Sequence, residues 1–76
     1  MDLVLYTWNS CSFCSRAKQR LEERGIAFRE ENLDGKRELL RRLQRESGFH
    51  TVPLVLLDGE FLGGLAELES WLESGP

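Results

Sequence analysis

The spacing of apolar residues changes several times along this chain, and each change marks an element. Leu3-Val4-Leu5-Tyr6 is a near-continuous apolar run, as in a central strand covered on both faces. In the helix-like stretch Ser15 to Arg24, Ala17 and Leu21 join Cys14 at a three- and seven-residue spacing, giving a helix one apolar face. Gly25 stops that helix. Ile26, Ala27 and Phe28 lead into a second strand ending near Asn32. Asp34 stands where a cap is wanted for a second helix, which carries Leu39, Leu40 and Leu43 on one side and ends at Gly48. Pro53 opens a third strand, Leu54-Val55-Leu56-Leu57. Asp58-Gly59 is a hairpin signal, and Phe61-Leu62 forms a short fourth strand. Gly63-Gly64 leads into a third helix with Leu65, Leu68, Trp71 and Leu72 inside. Ser74-Gly75-Pro76 reads as a frayed tail.

The order is β-α-β-α-β-β-α. The first β-α-β unit demands parallel strands and a right-handed crossover. The Asp58-Gly59 turn demands an antiparallel pair. One mixed four-stranded sheet with helices on both faces satisfies both, so the expected class is α/β.

Cys11 and Cys14 are the only cysteines, and they lie between the first strand and the first helix. A Cys-x-x-Cys in that context reads as a thioredoxin-like redox motif. Cys11 falls at the helix N-terminus, where free backbone N–H groups and the helix dipole favour a thiolate. A thiolate is the nucleophile that opens disulfides. Ser12 adds a backbone donor, and its hydroxyl, near that sulfur. Three other readings compete. Structural zinc needs four ligands, and the chain offers two cysteines and His50. A purely structural bridge would close a tiny loop and contribute little loop entropy. Two inert cysteines would be buried rather than placed at a helix start.

Length sets one domain over residues 1–76, near the lower size limit for a self-sufficient core. The net charge of −3 argues against general nucleic-acid binding. The charge is unevenly placed: residues 1–50 hold all ten Lys and Arg against eight acids, and residues 51–76 hold five acids and no base. Solvated helices of opposite sign account for this; steering of a partner is the sharper reading. No signal-peptide pattern and no apolar run of membrane-spanning length is visible, so a soluble cytoplasmic protein is expected, and a monomer. A lone reactive pair fits a reducing compartment.

Taken together, the motifs resemble the glutaredoxin family across nearly the whole chain. They are Tyr6-Thr7 before Cys11-Ser12-Phe13-Cys14, Gly25, Thr51-Val52-Pro53 before a strand, Asp58-Gly59, and Gly63-Gly64 before the last helix. The resemblance implies a thioredoxin-like fold and thiol-disulfide oxidoreductase activity through the Cys11/Cys14 dithiol. It implies a cis Val52–Pro53 bond beside the cysteines, with the Val52 backbone pairing to an extended substrate. Phe13, Thr51, Val52, Pro53, Gly63, Gly64 and Leu65 become the expected substrate-binding residues, and no metal ligand is expected. Trp8 and Phe13 would wall the thiol, and His50 lies close by. No bound cofactor is expected; glutathione is the implied co-substrate, held near Gly63-Gly64 with a carboxylate at the third helix's N-terminus. Disulfide-containing proteins are the implied partners, and either glutathione or a thioredoxin reductase the electron donor.

The chain departs from the family at three polar positions. Ala66 replaces a common aspartate, Trp8 a common lysine, and Phe49-His50 precedes Thr51 where arginine or glutamine is usual. Weak use of glutathione follows. Ser12 replaces a common proline, which raises an alternative: a dimer that holds an iron–sulfur cluster with glutathione supplying further thiolates. Such clusters take four thiolates.

Overall fold

The apolar run near the N-terminus becomes the strand on which everything else is laid. The computed structural model describes residues 1–75. Strand β1 (Leu3–Thr7) is followed by helix α1 (Ser12–Glu23), strand β2 (Arg29–Asn32), helix α2 (Arg37–Ser47), strands β3 (Leu54–Leu57) and β4 (Glu60–Gly63), and helix α3 (Leu65–Ser74). The sheet order is β2-β1-β3-β4. β1 pairs parallel with β2 and antiparallel with β3, and β3 pairs antiparallel with β4. The α/β thioredoxin-like architecture is therefore the expected one. At the hairpin both Asp58 and Gly59 have positive φ, as a tight two-residue turn requires.

Residues alternate across the strands and feed two separate cores. Leu3, Leu5 and Val55 point to α1 and α3, where they meet Ala17, Leu21, Leu65, Leu68 and Leu72. Leu54 and Tyr6 belong to the other face, with Cys14, Leu33, Val52 and the α2 residues Leu39, Leu40 and Leu43.

Ile26 and Phe28 fold over the first core as partly buried side chains and lead into β2, which ends at Asn32 as expected. Two boundaries differ from the sequence expectation. Asp34 does not cap α2; Lys36 occupies that position without a side-chain cap bond. The Asp34 carboxylate instead accepts from the Asn9 N–H at 3.2 Å, because Leu33 to Lys36 close a turn of their own through Lys36 N–H to Leu33 O at 2.9 Å. Ser74 is helical, Gly75 caps α3, and Pro76 lies outside the described residues.

Candidate active site

Strand β1 ends at Thr7, and three residues later the chain must turn into α1. Ser10 makes that turn with φ of 58°, a left-handed conformation uncommon outside glycine. The intervening loop is tied to the next crossover: Asn32 Nδ2 donates to Asn9 Oδ1 at 3.0 Å, and Asn9 N–H donates to Asp34. These bonds deliver Cys11 to the N-cap of α1 in an extended conformation.

The cap itself is the sulfur. Cys14 N–H donates to Cys11 Sγ at 3.0 Å, the role that a serine or aspartate oxygen plays at most helix starts. Cys11 and Cys14 are joined as a disulfide. The pair is unequal in access: Cys11 is half-buried, whereas Cys14 is 2% exposed within the core under α2. The expected Ser12 contact is not the one formed. Among the described residues, the hydrogen bond that reaches the Cys11 sulfur comes from Cys14, the third helical residue, and Ser12 is exposed.

Two further segments converge on the sulfur. The Val52–Pro53 peptide is cis, and the Val52 carbonyl oxygen lies 3.8 Å from Cys11 Sγ. A Cβ added to Gly64 would stand 3.4 Å from the Pro53 carbonyl oxygen, so the glycine pair adjoins the proline loop. Trp8 is partly buried against the core that holds Cys11, while Phe13 projects outward at 59% exposure. Of the two expected apolar walls, only Trp8 lies against the sulfur's core; Phe13 forms a free aromatic beside it. Thr51 and His50 are exposed, and the His50 carbonyl accepts from Gln44 Nε2 at 3.3 Å.

The α3 N-terminus differs from expectation. Its Gly64 N–H is taken by the helix's own Glu67 carboxylate at 2.7 Å. Gly63 is required by the same arrangement: its φ is 135°, and an added Cβ would fall 2.5 Å from Glu67 Cγ. The glycines thus let Glu67 close over the helix start, and that N–H is not open to a substrate carboxylate. The sequence does carry the sign, a glutamate at the third helical position.

Behind the disulfide is a hollow of about 490 Å³, lined by Cys11, Cys14, Thr7, Lys18 and Glu30 among others. Sequence reasoning missed its polar triad. Thr7, 1% exposed, donates from Oγ1 to Glu30 at 2.7 Å, and Lys18 Nζ lies 3.2 Å from the same carboxylate. The Thr7 hydroxyl chiefly, and Lys18 with it, outweigh burial and hold the Glu30 carboxyl below its usual range. No spacing rule links a strand-end threonine to a residue 23 positions on. Among the described residues no group of three or more His, Cys, Asp or Glu side chains is assembled to hold a metal ion.

The family model for glutaredoxin matches residues 3–62. A glutaredoxin of Pseudomonas aeruginosa is 38% identical over 73 residues, covering 96% of this chain and 87% of its own. The chain belongs to the glutaredoxin family. Solved structures agree. Glutaredoxin 1 of Francisella tularensis, complexed with cacodylate, has a TM-score of 0.82 at 34% identity over 96% of this chain and 93% of its own. A buckwheat glutaredoxin–glutathione complex has a TM-score of 0.90 at 26% identity, covering 96% of this chain and 69% of its own. Members of the family are thiol-disulfide oxidoreductases, and so is this chain, with Cys11 and Cys14 as its dithiol pair. Nothing observed favours the cluster-holding alternative. Among the described residues no helix is long and apolar enough to cross a membrane.

Proposed function

We propose that Cys11 is the attacking sulfur and Cys14 the resolving one, in the reduction of protein disulfides and glutathione mixed disulfides. One observation carries the assignment: the Cys11 sulfur caps α1 and receives the Cys14 N–H, a donor that favours the thiolate over the thiol once the bridge is reduced. The Cys11 thiolate attacks one substrate sulfur. The substrate disulfide breaks, a mixed disulfide forms, and the first substrate thiolate leaves and takes a proton from solvent. The Cys14 thiolate then attacks the Cys11 sulfur, and the second substrate thiolate leaves. The substrate gains two electrons, and the protein returns to its Cys11–Cys14 disulfide.

In this reading the Val52 backbone pairs with an extended substrate segment in the manner of strand addition. Thr51 and Pro53 shape that edge, Phe13 supplies an apolar contact on the open side, and Gly63, Gly64 and Leu65 form the far wall. The reductant is glutathione, supported by kinship to the buckwheat protein solved with glutathione. A thioredoxin reductase is the alternative donor, given Trp8, His50 and Ala66 at positions that otherwise favour glutathione. The chain acts as a single-domain monomer over residues 1–76, in the cytoplasm.

Differential alkylation tests the division of labour. Reduced protein, pulsed with iodoacetamide at neutral pH and read by peptide mass, should carry the label on Cys11 first. Faster labelling of Cys14 would reverse the assignment. A coupled reduction assay, run once with glutathione and glutathione reductase and once with thioredoxin reductase, identifies the donor.

A further inference from the structure

Helix α2 holds four arginines, Arg37, Arg41, Arg42 and Arg45, against Glu38 and Glu46. All four arginines are exposed. The five ion pairs among the described residues lie elsewhere, on Lys18, Arg20, Arg29 and Lys36. Arg37, Arg41 and Arg45 recur every fourth residue, so they form one ridge about 12 Å long at 1.5 Å rise per residue.

That ridge borders the site. Arg37 lines a hollow of about 470 Å³ together with Trp8, Leu33 and Leu40. Gln44, three residues beyond Arg41 and on the same flank, donates to the His50 carbonyl in the loop that leads to Val52. Trp8, Leu40, Val52 and Cys11 share one apolar cluster. A chain leaving the Cys11 sulfur across Trp8 and Leu40 therefore meets Arg37 and then Arg41. The one carboxylate on the hollow, Asp34, is engaged by the Asn9 N–H. Residues 51–76 carry five acids and no base, and three of the five, Glu67, Glu69 and Glu73, lie on α3, which packs on the face of the sheet away from α2.

We infer that the Arg37–Arg41–Arg45 ridge docks an acidic segment flanking the cysteine of a protein substrate, so that this redox site selects acidic disulfide proteins. The inference rests on the reading of Cys11 as the attacking sulfur. Opposite charges at this range speed encounter and fix register, and salt screens them.

The test uses three substrates: a disulfide peptide flanked by glutamates, the same peptide flanked by lysines, and an uncharged small disulfide. In Arg41→Glu/Arg45→Glu, kcat/KM for the acidic peptide should fall by about tenfold or more at low ionic strength. The basic peptide should improve, the small disulfide should be turned over as before, and molar salt should close the gap. Arg41→Lys/Arg45→Lys should keep the preference. Equal losses on both peptides, or no change on either, would overturn the proposal. So would a loss confined to glutathionylated peptides whatever their flanking charge, which would give the ridge to glutathione's carboxylates. An unmodified protein inert on the small disulfide, even with alkylation-competent thiols, would overturn the redox reading itself and is a separate result.

Discussion

Under α1 and α3 the sheet meets Leu3, Leu5, Ala17, Leu21, Val55 and Leu68, each exposed by 2% or less. Under α2 it meets Cys14, Leu33, Leu43, Val52 and Leu54, edged by the half-buried Tyr6, Trp8, Cys11, Leu39 and Leu40. The first face is the more closed, with the partly buried Ile26, Phe28, Leu57, Leu62 and Trp71 around its rim. The second opens at one end, and Cys11 stands at the opening. Folding free energy comes mostly from apolar area removed from water, so the closed face bears more of it. The open face gives up some of that area to leave a sulfur within reach. Stability and chemistry are thus divided between two sides of one four-stranded sheet.

The division can be broken from either side. The largest effect should come from Cys11→Ser, which removes the attacking sulfur: dithiol reduction should be lost while thermal unfolding of the reduced protein stays near that of the reduced parent. Cys14→Ser should keep the first step and accumulate a mixed disulfide, visible as an added substrate mass. Leu68→Ala acts on the closed face. It should cost about 2–5 kcal/mol in denaturant unfolding, with turnover per folded molecule unchanged. A fall in turnover at full folding would show that the two faces are coupled.

A smaller effect is expected from Ala66→Asp at the start of α3. Ala66 is exposed and cannot accept from the ammonium of glutathione, whereas an aspartate can. One charge-assisted hydrogen bond at a wet site should tighten glutathione by about tenfold. Steady-state kinetics on a glutathionylated peptide should show the gain, with little change on an ordinary disulfide. No gain would make the Ala66 departure neutral.

The smallest effect should be seen in Thr7→Val, which keeps the shape and removes the hydroxyl that holds Glu30. The Glu30 carboxyl is lowered in the folded state, so its contribution is present above the ordinary carboxylate value and is lost as pH falls through the folded value. The stability gap between parent and Thr7→Val should therefore be open at neutral pH and narrow in acid, below about pH 4. A gap that widens in acid would reverse the sign.

Periodicity made the elements legible because each apolar stripe here answers to a single neighbour. Leu39, Leu40 and Leu43 could only face the sheet, and Leu65, Leu68 and Leu72 likewise. The cysteine pair was legible because its chemistry depends on a local fact, the helix start at Ser12. What stayed hidden depends on partners far along the chain or on competition between nearby donors. Asp34 has the chemistry of a cap, but the Asn9 N–H from another loop takes its carboxylate. The Thr7–Glu30–Lys18 cluster joins three elements that only the crossover brings together. Glu67 was readable as a cap, yet its consequence was not: closing over Gly64, it takes an N–H that a ligand would otherwise use.

Strand β2 is an edge of the sheet, and it is composed of Arg29, Glu30, Glu31 and Asn32 alone. Each charge is already spoken for within the chain: Arg29 by Asp2, Glu30 by Lys18, Glu31 by Lys36. An open strand edge is a template on which further strands can stack into fibres. A second copy pairing in register on β2 would set Glu30 and Glu31 against the same two carboxylates. The charged edge therefore acts as a built-in guard against runaway self-pairing, in a chain whose opposite edge, β4, is interrupted by a register shift between Val55 and Leu56 of its neighbour.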